Sequence, residues 1–165
     1  MYTEENNPEA EQHLFAEEDL FNYHEASVGQ RFLNLLIDFL VMRFGLSRIT
    51  APLFVKFLVA VAPDTAYEIF GDVRQHAGAF LLAAYMISMF NFLVYYTFCE
   101  IAFKGYTLGK FVTGTRAIRQ DGRDLTFSNA LLRSLSRLVP FEAFSAFGGH
   151  PWHDQWTKTM VVKAR

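Results

Sequence analysis

From Ala77 to Cys99 the chain runs for 23 residues without a charged side chain. At 1.5 Å per residue such a helix is about 35 Å long, enough to cross a hydrocarbon core of about 30 Å. The pattern predicts a transmembrane helix over 77–103. An earlier apolar stretch, 28–62, is interrupted by Arg31, Asp38, Arg43, Arg48 and Lys56. As one straight helix, 31–62 would extend about 48 Å, too long to cross without strong tilt or a break. Gly45 and Pro52 are the break points the sequence offers. The expectation is a spanning helix from about Val28, then a shorter helix or kinked extension from Thr50 to Ala62 near the outer surface. Residues 63–76, opened by Pro63, read as a polar loop.

A third apolar stretch, 126–147, carries Arg133, Arg137, Pro140 and Glu142, and Gly148-Gly149-His150-Pro151 breaks it. Asn129, Arg133 and Arg137 recur at i, i+4 and i+8 and form one polar face, while Leu131, Leu135 and Leu138 line another. That pattern suits an interfacial or re-entrant helix better than a span surrounded by lipid, and both readings stay open. Phe111–Arg119 and Thr159–Lys163 mix β-branched and polar residues between turn signals and read as two short strands able to pair. The predicted class is an all-α membrane protein. It has two transmembrane helices, a third amphipathic helix that is spanning or re-entrant, and a small β-hairpin-like element on the cytoplasmic face.

Composition changes this picture at the N-terminus. Mean hydropathy is only +0.12 although 52% of residues are apolar. The low mean traces to residues 1–25, which hold Glu4, Glu5, Glu9, Glu11, Glu17, Glu18, Asp19 and Glu25 and no Lys or Arg. This stretch lacks the basic start and apolar core of a signal peptide. Residues 1–26 read as an acidic, disordered cytoplasmic tail with one short turn around Leu14 and Phe15, and 27–165 as the membrane domain. The tail is either a docking segment for a basic partner or a solvated extension. Cys99 is the single cysteine, so one chain can form neither a disulfide nor a thiolate metal site.

Charge sets the orientation. Between Lys104 and Arg137 seven basic residues (Lys104, Lys110, Arg116, Arg119, Arg123, Arg133 and Arg137) face only Asp121 and Asp124. The positive-inside rule places this segment in the cytoplasm and the loop 63–76, with Arg74 alone, outside. The N-terminus is then cytoplasmic. No basic face joins a nucleic-acid reading motif.

The polar residues inside the apolar stretches are the candidate site. Arg31, Asn34 and Asp38 share one helix face, and Ser88, Asn91, Tyr95 and Cys99 share another, with Glu100 at its cytoplasmic end. Ionisable groups in a bilayer cost about 2.5–3.5 kcal/mol each, so the simplest packing turns the two stripes toward each other. Asp38 and Glu100 then either line an ion or proton path or belong to a network that locks the helices. A basic partner for Asp38, Arg31 or Arg133, would suffice for the lock. Gly105-Tyr-Thr-Leu-Gly109-Lys110 superficially resembles a phosphate loop but lacks the four-residue spacer and the Ser/Thr after the lysine. It reads instead as a backbone turn at the end of the helix. His150, His153 and Asp154 offer metal-ligand chemistry without a third firm ligand. No nucleophile–base pair has a diagnostic setting, and no cofactor or metal is expected.

These pieces together resemble the RDD family of prokaryotic membrane proteins, named for one arginine and two aspartates. The resemblance covers about residues 27–163. It rests on Arg31 and Asp38; on Tyr95-Tyr96, Glu100, Gly105 to Lys110 and Gly114-Thr-Arg116-Ala-Ile118; on Leu132-Arg133, Arg137 and Pro140; and on His153-Asp154, Thr159 and Val161-Val162. It implies a bacterial inner-membrane protein with about three apolar segments. Some members have been linked to cation/proton exchange. Asn34 departs from the small residue usual there, and Arg43 and Arg48 would crowd a cation path with positive charge. Two roles follow as expectations. One is a non-enzymatic scaffold or accessory module of a membrane complex, in contact with lipid and with another membrane protein or a second copy. The other is a small, oligomeric ion/proton transporter.

Overall fold

The computed structural model describes residues 23–145 and 151–164. The expected turn at Leu14 and Phe15, the Gly148–Gly149 break and His150 lie outside the described residues.

Val28–Val41 forms α1, opened by Ser27 and Gln30 as a reciprocal cap in which each side chain bonds the other's backbone amide. Met42–Leu46 follows as one wide π-type turn, and Ser47–Val61 continues as α2. Together they make one helical run of 34 residues, about 51 Å long. The irregularity therefore falls at Gly45 and not at Pro52, which sits inside α2. Pro63–Phe70 is a helix, α3, where a polar loop is expected. The sequence carries its start signal, proline at the first helical position.

Ala77–Ala102 is α4, the 26-residue apolar helix, close to its expected bounds. Gly105 turns the chain with φ +90°, and a Cβ there would sit 1.9 Å from the Ala117 carbonyl oxygen. Leu108–Thr113 is then a short helix, α5, capped by the Thr107 hydroxyl on the Lys110 amide. Gly109 and Lys110 thus lie on a helix and not in the expected turn. Likewise Phe111 to Thr113, expected as strand, is helical. Gly114 ends α5 in the left-handed region (φ +66°). Thr115–Arg119 (β1) pairs antiparallel with Thr159–Lys163 (β2), Thr115 opposite Lys163 and Arg119 opposite Thr159. The end of the expected acidic tail joins this sheet: Glu25 bridges Val162, and the Ala26 amide bonds the Val161 carbonyl.

Phe127–Ser136 is α6, capped by Thr126 and Asn129. Its 10 residues reach about 15 Å, so it does not span. Glu142–Ser145 (α7) and Trp152–Thr157 (α8) are short helices leading to β2. Because β1 follows α4 and β2 pairs with the segment before α1, the sheet and α5–α8 gather at one end of the two long helices.

The burial pattern is inverted relative to a water-soluble protein. α1 buries Asn34 and Asp38 while Phe32, Leu33, Leu36, Phe39 and Leu40 face outward. α4 buries Asn91 and Glu100 while Leu81, Leu82, Met86, Phe90 and Phe98 are exposed. On α6 the buried residues are Ala130, Arg133 and Ser134, and Leu132 and Leu135 point out. Apolar surface on this scale is stable against lipid and not against water.

Gly109 is where α5 meets α1: a Cβ would lie 2.4 Å from the Asn34 carbonyl oxygen. Gly109→Ala should therefore force backbone apart and cost about 1–3 kcal/mol. Gly78, where a Cβ meets nothing within 4 Å, is the matched control. Thermal unfolding in detergent should show a lowered midpoint for Gly109→Ala and an unchanged or raised one for Gly78→Ala.

Candidate functional site

At the end of the bundle where α4, α6 and α8 meet, two buried carboxylates hold four buried or nearly buried cations. Glu100, in the last turn of α4, takes Arg133 Nε at 3.1 Å on Oε2. Its Oε1 takes Lys110 Nζ at 2.6 Å and Arg137 Nη2 at 3.0 Å. Asp154, in the first turn of α8, takes Arg31 Nη1 at 2.5 Å on Oδ2 and Arg133 Nη1 at 2.5 Å on Oδ1. Arg133 also donates to the Thr159 hydroxyl on β2. Arg133 and Glu100 are both 0% exposed. Arg31 reaches further to Glu25 at 3.7 Å and to the Ala26 carbonyl, and the Arg137 guanidinium lies 4.5 Å from the centre of the Tyr96 ring.

Asp38 stands apart from the cations. Its Oδ1 accepts from the Tyr95 hydroxyl at 2.7 Å and the Gly109 amide at 2.8 Å, and its Oδ2 from the Thr107 hydroxyl at 2.7 Å. The expected pairing of Asp38 with Arg31 or Arg133 is thus replaced by three neutral donors; both arginines go to Asp154 instead. The physical reason is the turn at Gly105, which brings the first turn of α5 beneath Asp38 and presents an amide and a hydroxyl there. Asn34 places its amide between the Thr113 and Thr115 hydroxyls, so it fastens α1 to the end of α5 and the start of β1.

The two stripes meet only in part. Tyr95 does reach Asp38, but Asn91 bonds Ser47 at 3.3 Å and Thr50 at 2.8 Å. The Ser47 hydroxyl in turn bonds the Met42 carbonyl, so Asn91 clasps the wide turn whose backbone bonds are displaced. Ser88 bonds its own helix at Ala84 and stays exposed. His153 Nδ1 lies 2.5 Å from Glu142 Oε1, and Nε2 lies 3.4 Å from Asp154 Oδ1. Among the described residues no group of three His, Cys, Asp or Glu is placed to hold a metal ion.

Sequence reasoning gave no contact to the hydroxyls that complete the network: Thr107, Thr113, Thr115 and Thr159. Thr107 alone carries a readable signal, a capping residue just before Leu108. The others act through contacts distant in sequence.

Electrostatics at the end of the bundle follow from this geometry. Burial would raise the Asp154 carboxyl, but Arg133, His153 and Arg31 hold it well below the usual carboxylate range. Burial pushes the Lys110 ammonium down to about 8, against the pull of Glu100. Burial, followed by Arg137, pushes His153 down to about 4. Burial works against Glu142 too, yet the His153 hydrogen bond keeps its carboxyl below the ordinary value.

A helical, membrane-associated protein whose apolar exterior encloses an ionic lock is the class this arrangement defines. The chain belongs to the RDD family: the family model matches residues 25–156. Neither a curated protein nor a solved structure matches it. Arg31 and the two aspartates separate structurally here, Arg31 pairing with Asp154 while Asp38 binds hydroxyl and amide donors.

Removing one partner of a buried pair strands the others, at a cost of about 3–5 kcal/mol. Asp154→Asn and Arg133→Gln should each lower the unfolding midpoint in detergent by more than any exposed pair. Arg119→Gln, which breaks the exposed contact with Asp121, is the comparison. The pH dependence has a definite sign. His153 binds its proton less readily when folded (about 4) than in its ordinary state (6.5), so the unfolded chain takes up more protons between those values. Stability should be highest above pH 6.5 and fall as pH drops toward 4. The lowered carboxyls of Glu142 and Asp154 add losses of the same sign at the acid end. His153→Gln should flatten the slope between pH 6.5 and 4 in unfolding curves.

Proposed function

We propose that this is an integral protein of the bacterial inner membrane that acts without catalysis, as a scaffold or accessory module of a larger membrane assembly. The observation that carries this reading is the saturation of the buried carboxylates. Each oxygen of Glu100 and of Asp38 already has a partner, and a carrier must be able to release its load. The exposed surface supports contact with a partner or a second copy. Phe141 and Phe144 lie close together, Trp152 stacks on Trp156, and all four are exposed. These aromatics also suit α6–α8 to lying in the membrane interface rather than crossing it.

Orientation is part of the proposal. The exposed cations Lys104 and Arg123 and the half-buried Arg116 and Arg119 cluster at the end of the bundle that carries the sheet, which favours a cytoplasmic position for that end and for the N-terminus. From Val28, 30 Å of helix ends near Ser47, so Arg48 and Lys56 on α2 come to the outer headgroups or beyond. The competing reading, a small ion/proton transporter, is favoured by a cavity that reaches Asp38.

Thr65→Cys should react with a membrane-impermeant maleimide on intact spheroplasts, and Asp121→Cys only after lysis; the reverse pattern would invert the topology. Asp38→Asn separates the two functions. As part of a lock it should reduce membrane abundance and lower the unfolding midpoint, with no proton flux from wild-type protein in vesicles holding a pH dye. Flux that Asp38→Asn or Glu100→Gln removes while abundance persists would replace the module with a transporter. Crosslinking in native membranes should yield a reproducible assembly, and a solitary protein would count against the role.

A further inference from the structure

The ionic cluster leaves two donors unused, one of them on a residue that lines a cavity. Arg137 Nη1 and Arg133 Nη2 are buried without a hydrogen-bond partner. The Arg137 side chain is 8% exposed, so its free N–H group is withdrawn from solvent. Arg137 also lines a cavity of about 200 Å³, together with Lys110, Arg31, Leu35, Phe92 and Tyr96. Nearly all of its guanidinium geometry is committed: Nη2 to Glu100 and one face to Tyr96. A buried guanidinium donor with no acceptor costs more than a lost surface contact, because water no longer solvates it.

Formal charge is balanced, with four cations against the four buried carboxylates Asp38, Glu100, Glu142 and Asp154, but the pairing is uneven. Four cations, Arg31, Lys110, Arg133 and Arg137, pair with only two buried carboxylates, Glu100 and Asp154. Asp38 and Glu142 also border the cavity, but both oxygens of Asp38 are taken by neutral donors and Glu142 is held by His153. Neither pairs with an arginine or a lysine. What Arg137 Nη1 lacks is an acceptor, and the carboxylates that border the cavity do not supply one. Its walls add Leu35 and Phe92 from the two long helices, so apolar surface borders the charged groups.

We propose that the cavity between α1, α4 and Arg137 binds a phosphate-class oxyanion, either the phosphate of an anionic phospholipid headgroup or a free phosphate. The oxygens accept from Arg137 Nη1, and Arg31 and Lys110 supply further positive potential. Guanidinium suits phosphate because its donors diverge in one plane and stay charged at every physiological pH. This inference does not rest on the accessory-module reading, since a lock and a transporter could each hold such a group.

The test uses full-length protein in a nonionic detergent, free of added phosphate. Unfolding midpoints are read with inorganic phosphate against chloride at equal ionic strength, and with dihexanoyl-phosphatidylglycerol against dihexanoyl-phosphatidylcholine. A ligand near a hundred times its Kd should raise the midpoint by about 5–10 °C. A rise with both phosphate and phosphatidylglycerol supports the site with a free oxyanion sufficient. A rise with phosphatidylglycerol alone supports it with the headgroup as the source. Arg137→Gln should abolish either rise. Because Arg137 also braces Glu100, Leu35→Trp is the second variant: Leu35 is 38% exposed and makes no ion pair, and the larger ring obstructs the cavity. Loss of the rise in Leu35→Trp supports the location. No rise with either probe in the wild type, or a rise that Leu35→Trp retains in full, overturns the proposal.

Discussion

Arg133 is the residue on which the end of the bundle depends. It sits on the inward face of a 10-residue amphipathic helix and holds carboxylates from two different elements, Glu100 on α4 and Asp154 on α8. Through Asp154 it is joined to Arg31 on α1, and through Glu100 to Lys110 on α5 and Arg137 just past α6. Five elements therefore share one chain of charges. In water such a cluster would gain little, because each charge would exchange a hydrated state for a paired one. Where the alternative surroundings are hydrocarbon, an unpaired charge has no comparably stable state, and pairing becomes the only economical arrangement.

That constraint explains why the polar residues are inside and the large apolar ones outside. The hydrophobic effect does not drive helices together within lipid, so packing and polar contacts must hold them. Gly109 allows the backbone of α5 to approach Asn34, and the three donors on Asp38 act at the same crossing. Farther along, Asn91 fastens α4 to the wide turn at Gly45 through Ser47 and Thr50. Each crossing between the long helices thus has its own polar clasp, and apolar contact around Met42, Tyr95, Tyr96 and Cys99 fills the space between them.

The sequence made some of this legible and hid the rest for definite reasons. The apolar run to Cys99 announces α4 because its length alone exceeds what a buried soluble helix needs. The i, i+3, i+7 spacing of Arg31, Asn34 and Asp38 announces an inward face, since helix geometry ties spacing to direction. Partner identity is not local. Arg31 lies 123 positions from Asp154, and nothing in the intervening pattern tells whether it meets that carboxylate or Asp38. Gly105 decides the matter: its left-handed turn sends Thr107 and Gly109 back to Asp38 and so frees Arg31 for α8. A glycine signals that a turn is allowed, but not where the returning chain will dock. The same gap hid α5 inside a Gly-rich stretch and left Phe111 to Thr113 looking like strand. Its six residues are too few to show a period, and tertiary contact holds them helical.

The N-terminal end of α1 shows how little separates a tail from a structural element. Acidic composition draws residues 1–26 into one solvated segment, yet Glu25 bridges β2 and also stands 3.7 Å from Arg31. A glutamate among many glutamates has no compositional mark of its own. What distinguishes it is its closeness to the Arg31 guanidinium, six residues along the chain. Edge pairing then uses the open side of β2, where an unpaired strand would otherwise expose its backbone groups. The ionic cluster and the sheet are therefore coupled at this point: the backbone of residues 24–26 is held by β2, and the Ala26 carbonyl accepts from Arg31 Nε. Displacing that short segment would disturb the sheet edge and the Arg31 anchor together, which makes the entry to the first long helix part of the lock rather than an appendage to it.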